Sequence, residues 1–216
     1  MSDQPTSRPG QLCIWTDTDP STEDDFNAWY DREHMQERVG IAGFTHARRF
    51  LANDGAPRRY LALYETTALD VFHSAAYQQA FTRQTEWSLR SFARMRDNQR
   101  RVGALTFAAG NGEGGRLALF TATPAVVASP AWRDAATAAA ATTGVHAVRV
   151  FTTDATLSAP IATGAGAPTA ALADALILVE ASSASAARDA AQHLAALADL
   201  EPSQVRGFDL LWRLAA

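Results

Sequence analysis

This chain states one pattern twice. Gly43-Phe44-Thr45-His46-Ala47-Arg48-Arg49-Phe50 is answered by Gly144-Val145-His146-Ala147-Val148-Arg149-Val150-Phe151, and the stretch from Tyr60 to Glu65 by the stretch from Ala175 to Glu180. Halves of about 100 residues are each near the common domain size, so the 216 residues read as two copies of one folding unit. The copies are not equivalent. Ala28-Trp29-Tyr30-Asp31 is matched by Ala131-Trp132-Arg133-Asp134, but the charged sequel from Arg32 to Arg38 is answered only by alanines and a threonine. Any chemistry is therefore expected in the first copy.

Within a copy the element order follows from periodicity and punctuation. Residues 11–16 are short, apolar and β-rich, and the turn formers of 17–22 follow. Ser21 or Thr22 can cap a helix whose first turn carries Glu23, Asp24 and Asp25, and that helix should run to Val39 before Gly40. Strands are expected over 44–51 and 59–65 around an Asn-Asp-Gly turn, then a helix over 69–93 broken near 74–77, then a strand over 98–108. The second copy repeats the order, with strands at 116–122, 146–153, 174–181 and 205–214. Its helices open at Ser129-Pro130 and span 185–200. A β-α-β-β-α-β order is the ferredoxin-like arrangement. We divide the chain into a disordered terminus (1–10), a first repeat (11–108), a Gly-rich linker (109–115) and a second repeat (116–216). The long loop 154–173 of the second copy is read as a mobile cover. A ferredoxin-like sheet carries helices on one face only, so the α+β fold expected is two repeats packed sheet to sheet as a pseudo-dimeric barrel. The same logic permits a homodimer.

Composition narrows the partners. A net charge of −4 and no basic stripe interleaved with aromatics argue against nucleic acid. Runs such as Arg94 to Arg96 and Arg100-Arg101 are read as solvated. No window approaches the ~20 apolar residues of a membrane span, and the polar opening lacks the apolar core of a secretion signal. The single cysteine, Cys13, fits a reducing compartment and is read as a buried small hydrophobe. A soluble cytoplasmic protein is expected. Gly-x-Ser-x-Gly, Cys-x-x-Cys, His-x-x-x-His and complete phosphate-loop motifs are all missing from the sequence, which leaves serine-hydrolase, zinc and nucleotide chemistry unsupported.

The run Trp29-Tyr30-Asp31-Arg32-Glu33-His34, with Gly43-Phe44 and Ala47-Arg48-Arg49 after it, resembles the dimeric α/β-barrel superfamily and, within it, the EthD-like proteins. The likeness covers the first half well and the second by pattern alone. It implies one of several activities: cofactor-independent monooxygenase, polyketide cyclase, lactone isomerase, decarboxylase or dehydratase. The histidine late in the first helix carries over as His34; the second copy has Thr137 there. Haem occurs in relatives through an axial histidine, for which His73, His146 and His193 are the remaining candidates. No cofactor and no metal is expected.

Tyr30, His34 and Arg38 recur every four residues and share one helical stripe. Imidazole titrates near neutrality, guanidinium can hold an acidic oxygen and a phenol can donate to it, so His34, Tyr30 and Arg38 are the candidate catalytic residues. The alternative is that Arg38 pairs with Glu33 or Glu37 on the surface. Alternation in the second strand places Phe44, His46, Arg48 and Phe50 on one face. A buried arginine needs an anion, from Glu65 or from a bound acid, although Arg149 and Glu180 echo an internal pair. His46, Arg48, Trp29, Tyr64 and Trp87 complete the substrate-binding candidates. The reading is an acid/base enzyme of lyase, isomerase or cyclase type acting on a small acidic, enolisable or aromatic molecule. A non-catalytic ligand-binding barrel and a cofactor-independent monooxygenase are the alternatives.

Overall fold

A computed structural model describes residues 7–159 and 172–216 of the chain. Most of the expected terminal tail and most of the expected loop cover therefore lie outside the described residues. The first repeat runs β1 (Gly10–Thr18), α1 (Glu23–Trp29), a π-helical segment (Tyr30–His34), α2 (Met35–Val39), β2 (Phe44–Ala52), β3 (Tyr60–Thr66), a 3-10 turn (Leu69–His73), α3 (Ala75–Thr82), α4 (Glu86–Arg94) and β4 (Met95–Gly110). The second runs β5 (Arg116–Ala122), α5 (Pro124–Ala128), α6 (Pro130–Ala140), β6 (Val145–Thr153), α7 (Ala155–Ser158), β7 (Ala175–Ala181), α8 (Ala184–Ala196) and β8 (Arg206–Ala215).

The eight strands close into an antiparallel barrel in the order β1-β3-β2-β8-β5-β7-β6-β4. Each repeat contributes a four-stranded sheet, and the sheets join at both edges, β2 to β8 and β4 to β6. Closure gives each of the eight described strands a neighbour on both sides, which limits the open edges that are the usual liability of a sheet. The lumen is core rather than channel. Cys13, Trp15, Phe50, Leu61, Leu63, Leu117, Leu119, Phe151, Leu176, Leu178 and Phe208 fill it from both repeats. Burial pushes the Cys13 thiol up to about 12, so it is an inert hydrophobe there.

The outer sheet face lies under helices in each repeat, and the two layers differ. Alanines of α6 and α8 let those helices approach the sheet closely around Trp132, Phe120 and Leu194. The first repeat instead packs Phe26, Trp29, Tyr30, Tyr60, Tyr64, Phe72 and Tyr77 between helix and sheet.

Several local expectations are corrected. A bulge between Phe44 and His46 turns Phe44 to the outer face, away from His46. Thr22 stands at the N-cap of α1 but its side chain makes no capping bond; the side-chain cap belongs to the preceding 3-10 turn (Pro20–Thr22), where Asp19 accepts from the Ser21 N–H. The helical stretch after Leu69 has a second break at residues 83–85, where Thr85 caps α4. Strand β4 continues through Gly110, so the connection between repeats is shorter than 109–115. Arg101 is buried rather than solvated, and its guanidinium grips both carboxylate oxygens of Asp174 (2.9–3.1 Å). Gly43 (φ 95°) and Gly144 (φ 88°) occupy equivalent turns ahead of β2 and β6, in a conformation that side chains rarely adopt.

Candidate functional site

The helix from Glu23 to Val39 changes gauge in the middle. Met35 donates its N–H to the carbonyl of Tyr30, the five-residue step of a π-helix. In an α-helix residues five apart point about 140° apart, so Trp29 and His34 would diverge. The wider turn lets them stack, with ring centroids 4.2 Å apart and planes inclined by 27°. Tyr30, Tyr64 and Phe92 meet the same imidazole edge-on at 5.3, 6.3 and 5.5 Å. Trp29 is held in turn by its indole N–H, which donates to Ser88 Oγ (3.0 Å).

His34 is only 5% exposed, and its Nδ1 has no hydrogen-bond partner. Burial, followed by the positive charges of Arg38 and Arg49, holds its pKa well below the usual value of 6.5. The imidazole is therefore neutral at pH 7. Burial also holds the Tyr64 phenol well above its usual value, with Tyr30 adding to the effect. The Tyr64 hydroxyl has the Tyr30 hydroxyl as its polar neighbour but makes no well-aligned hydrogen bond. Arg38 does not take the surface pairing considered from the sequence. It is 2% exposed, lies over the Phe81 ring (4.8 Å) and donates to the Ala80 carbonyl at 3.4 Å; among the described residues no carboxylate pairs with it. Glu33 is occupied elsewhere, accepting from Thr85 and Ser88. Arg49, which the sequence reading did not single out, belongs to this layer. Its guanidinium lies 4.3 Å from the Tyr30 ring and donates to Asn27 (2.6 Å) and Asp31 (3.4 Å). Strand alternation was the signal that could have found it.

The candidate residues divide between two faces of the sheet. Trp29, Tyr30, His34, Arg38 and Tyr64 converge on the outer layer. Trp87 stands beside them, its indole N–H donating to Asp25 (3.1 Å). His46 and Arg48 point the other way, into the barrel mouth. Arg48 bonds Glu180 (2.7 Å) and Glu65 (3.3 Å), while Arg149 bonds Glu180 at 3.1 Å. Burial opposes the charge on Arg48, but Glu180, Glu113 and Glu65 outweigh it and raise its pKa. The contact of His46 with Glu113 holds that carboxyl down at about 2. Arg48 is thus satisfied internally, and only Arg38 is a buried arginine without an anion among the described residues.

No known family model matches the chain, and no curated protein does. Solved structures do. An anthrone oxidase-like protein superposes with a TM-score of 0.62 at 12% identity, over 97% of this chain and 94% of its own. A candidate monooxygenase from Lactobacillus acidophilus NCFM gives 0.57 at 7% identity, over 97% of both chains. The chain has the dimeric α/β-barrel fold. A haem-binding protein from Thermus thermophilus shares it as well (TM-score 0.50, 9% identity, 95% of this chain and 92% of that one). Among the described residues, the histidines weighed as haem ligands do not line a haem-sized pocket. His73 and His193 are exposed, His146 is half-buried at the start of β6, and His34 is closed in by rings on several sides. The corresponding layer of the second repeat is filled by Trp132, whose indole is bonded to the Leu194 carbonyl. Among the described residues no helix is long and apolar enough to cross a membrane.

Proposed function

We propose that the protein is an enzyme of small acidic or enolisable aromatic molecules, with His34 as its base and Arg38 as the group that holds the developing negative oxygen. One observation carries this reading: an unpartnered His34 Nδ1, a Tyr64 hydroxyl with no well-aligned hydrogen bond and a buried arginine lacking a carboxylate gather in one aromatic layer. Each such group costs free energy when buried, and one ligand with an acidic oxygen would satisfy all three. The same arrangement explains how a depressed histidine can still act as a base. Its protonation is opposed by burial and by Arg38 and Arg49; a substrate that becomes an enolate supplies the compensating charge as it gives up its proton. Trp29, Tyr30 and Phe92 would hold a planar substrate by ring contacts.

The likeness to an anthrone oxidase-like protein supports an oxidative outcome for the carbanion, in preference to simple reprotonation. In that reaction dioxygen converts a ring CH2 to C=O, and the second oxygen atom leaves as water with the two hydrogens. The competing reading, binding without turnover, draws on how fully the rings enclose His34. An oxygen electrode with an anthrone as substrate separates the two. Turnover is expected to consume one dioxygen per substrate and to drop ~100-fold or more in His34→Ala. Binding with no oxygen uptake and no other product would leave the ligand-binding reading standing.

A further inference from the structure

His34 and Arg38 are almost closed to solvent, so a ligand reaches them only if part of the surrounding layer moves. Most of that layer is fixed. The floor is the sheet, which barrel closure holds, and the helix from Glu23 to Val39 carries the two groups themselves. α4 is tied to that helix by side-chain bonds: Ser88 to Trp29 and Glu33, Thr85 to Glu33, and both Trp87 and Arg94 to Asp25. The remaining wall is α3, and its attachment is uneven. Its first turn is capped by Ser74, and Tyr77 is buried against Phe44 and Phe72 with its hydroxyl accepting from Arg100 (3.0 Å). Its last turn meets the layer through Ala80 and Phe81, while residues 78, 79, 82 and 83 are exposed. There the only fastening among the described residues is Arg38 itself, which lies under the Phe81 ring and donates to the Ala80 carbonyl at 3.4 Å. The helix then breaks at 83–85 before α4 starts afresh. In the second repeat, which has Thr137 in place of the histidine, the matching connection between β7 and β8 holds the unbroken α8, bonded to Trp132 through the Leu194 carbonyl.

We propose, resting on the function proposed above, that the last turn of α3 is the entrance to the site of His34 and Arg38, with Phe81 as its gatekeeper. Tyr77 is the pivot, and the break at 83–85 is the hinge that lets the end of α3 swing outward. The hydrogen bond to Ala80 is long and therefore weak, so an entering acid can take the Arg38 guanidinium from it. Arg38 then serves as latch when the site is empty and as acid holder when it is filled. This exchange favours one class of ligand. An aromatic acid supplies both contacts that Arg38 gives up, an oxygen acceptor and a ring face, whereas a neutral apolar molecule supplies no acceptor and leaves the latch shut.

The test begins with the full chain free of ligand. Phenylglyoxal, which modifies accessible guanidinium groups, is followed at Arg38 by peptide mass spectrometry, and amide exchange is followed by NMR. Phe81→Ala should speed the labelling of Arg38 by about fivefold or more, while Arg48, held by Glu180, labels as slowly as in the parent. In the parent the amides of residues 81–83 should exchange about tenfold or more faster than those of residues 89–92 in α4. This second readout needs no variant, so it decides the matter if Phe81→Ala fails to fold. With 1-naphthoate as the probe, association in stopped flow should quicken in Phe81→Ala, and the bound acid should protect Arg38 from phenylglyoxal. The entrance is overturned if Arg38 labels equally fast in parent and Phe81→Ala, or if residues 81–83 are as protected as α4. Both of those readouts are taken without ligand. Absent 1-naphthoate binding beside the expected labelling and exchange would therefore count against the function proposed for His34 and leave the entrance standing.

Discussion

At the scale of single residues, two buried arginines on neighbouring elements answer to opposite logic. Arg48 compensates Glu180, which is fully buried, so Arg48→Met should destabilise the fold by about 3 kcal/mol in urea unfolding. Arg38 compensates no carboxylate among the described residues; Arg38→Met should leave the urea midpoint unchanged or raised while weakening acidic-ligand binding at least tenfold. His34 makes a prediction about pH. Its folded pKa lies below the unfolded value near 6.5, so the unfolded chain takes up the proton first. The stability that depends on neutral His34 is complete above pH 6.5 and is lost as pH falls from there toward the folded pKa. Urea midpoints measured between pH 7.5 and 5 should fall in the parent and stay flatter in His34→Leu. The acid limb of kcat/KM should likewise lie well below pH 6.5.

At the scale of elements, the π-helical segment is what brings Trp29 and His34 face to face. Deleting Arg32, an exposed residue inside the segment, should return the helix to an ordinary α gauge and separate the two rings. Helical circular dichroism should persist while activity falls about as far as in His34→Ala; activity retained after the deletion would show that the stack is dispensable. The turn at Gly43 is a second such point. A Cβ there would lie 2.5 Å from Val71 Cγ2 on a backbone already at φ 95°, so Gly43→Ala should cost about 1–3 kcal/mol, measurable as a lower Tm. The stripe of Tyr30, His34 and Arg38 was legible in the sequence because it rests on spacing alone. The change of gauge was not, since no residue type in 30–34 compels it.

At the scale of the whole molecule, closure makes the repeats interdependent. β2 completes its pairing on β8 and β4 on β6, so a chain ended at residue 110 would expose two strand edges and half of the apolar lumen. Residues 7–110 expressed alone should aggregate or dimerise rather than give a folded monomer, as size-exclusion chromatography would report. The sequence by itself determined the duplication, the β-α-β-β-α-β order and the pairing of Arg149 with Glu180. These are written in periodicity, turn chemistry and charge, which act over a few residues or recur at a fixed offset. Only the tertiary structure decided that His46 and Arg48 face away from His34, that Phe44 leaves their face at a bulge, and that Arg38 rather than Arg48 is the arginine without a carboxylate among the described residues. Those outcomes depend on which sheet face a helix covers and on carboxylates far away in the chain. Glu180 is 132 residues from Arg48 and reaches it only because the barrel closes.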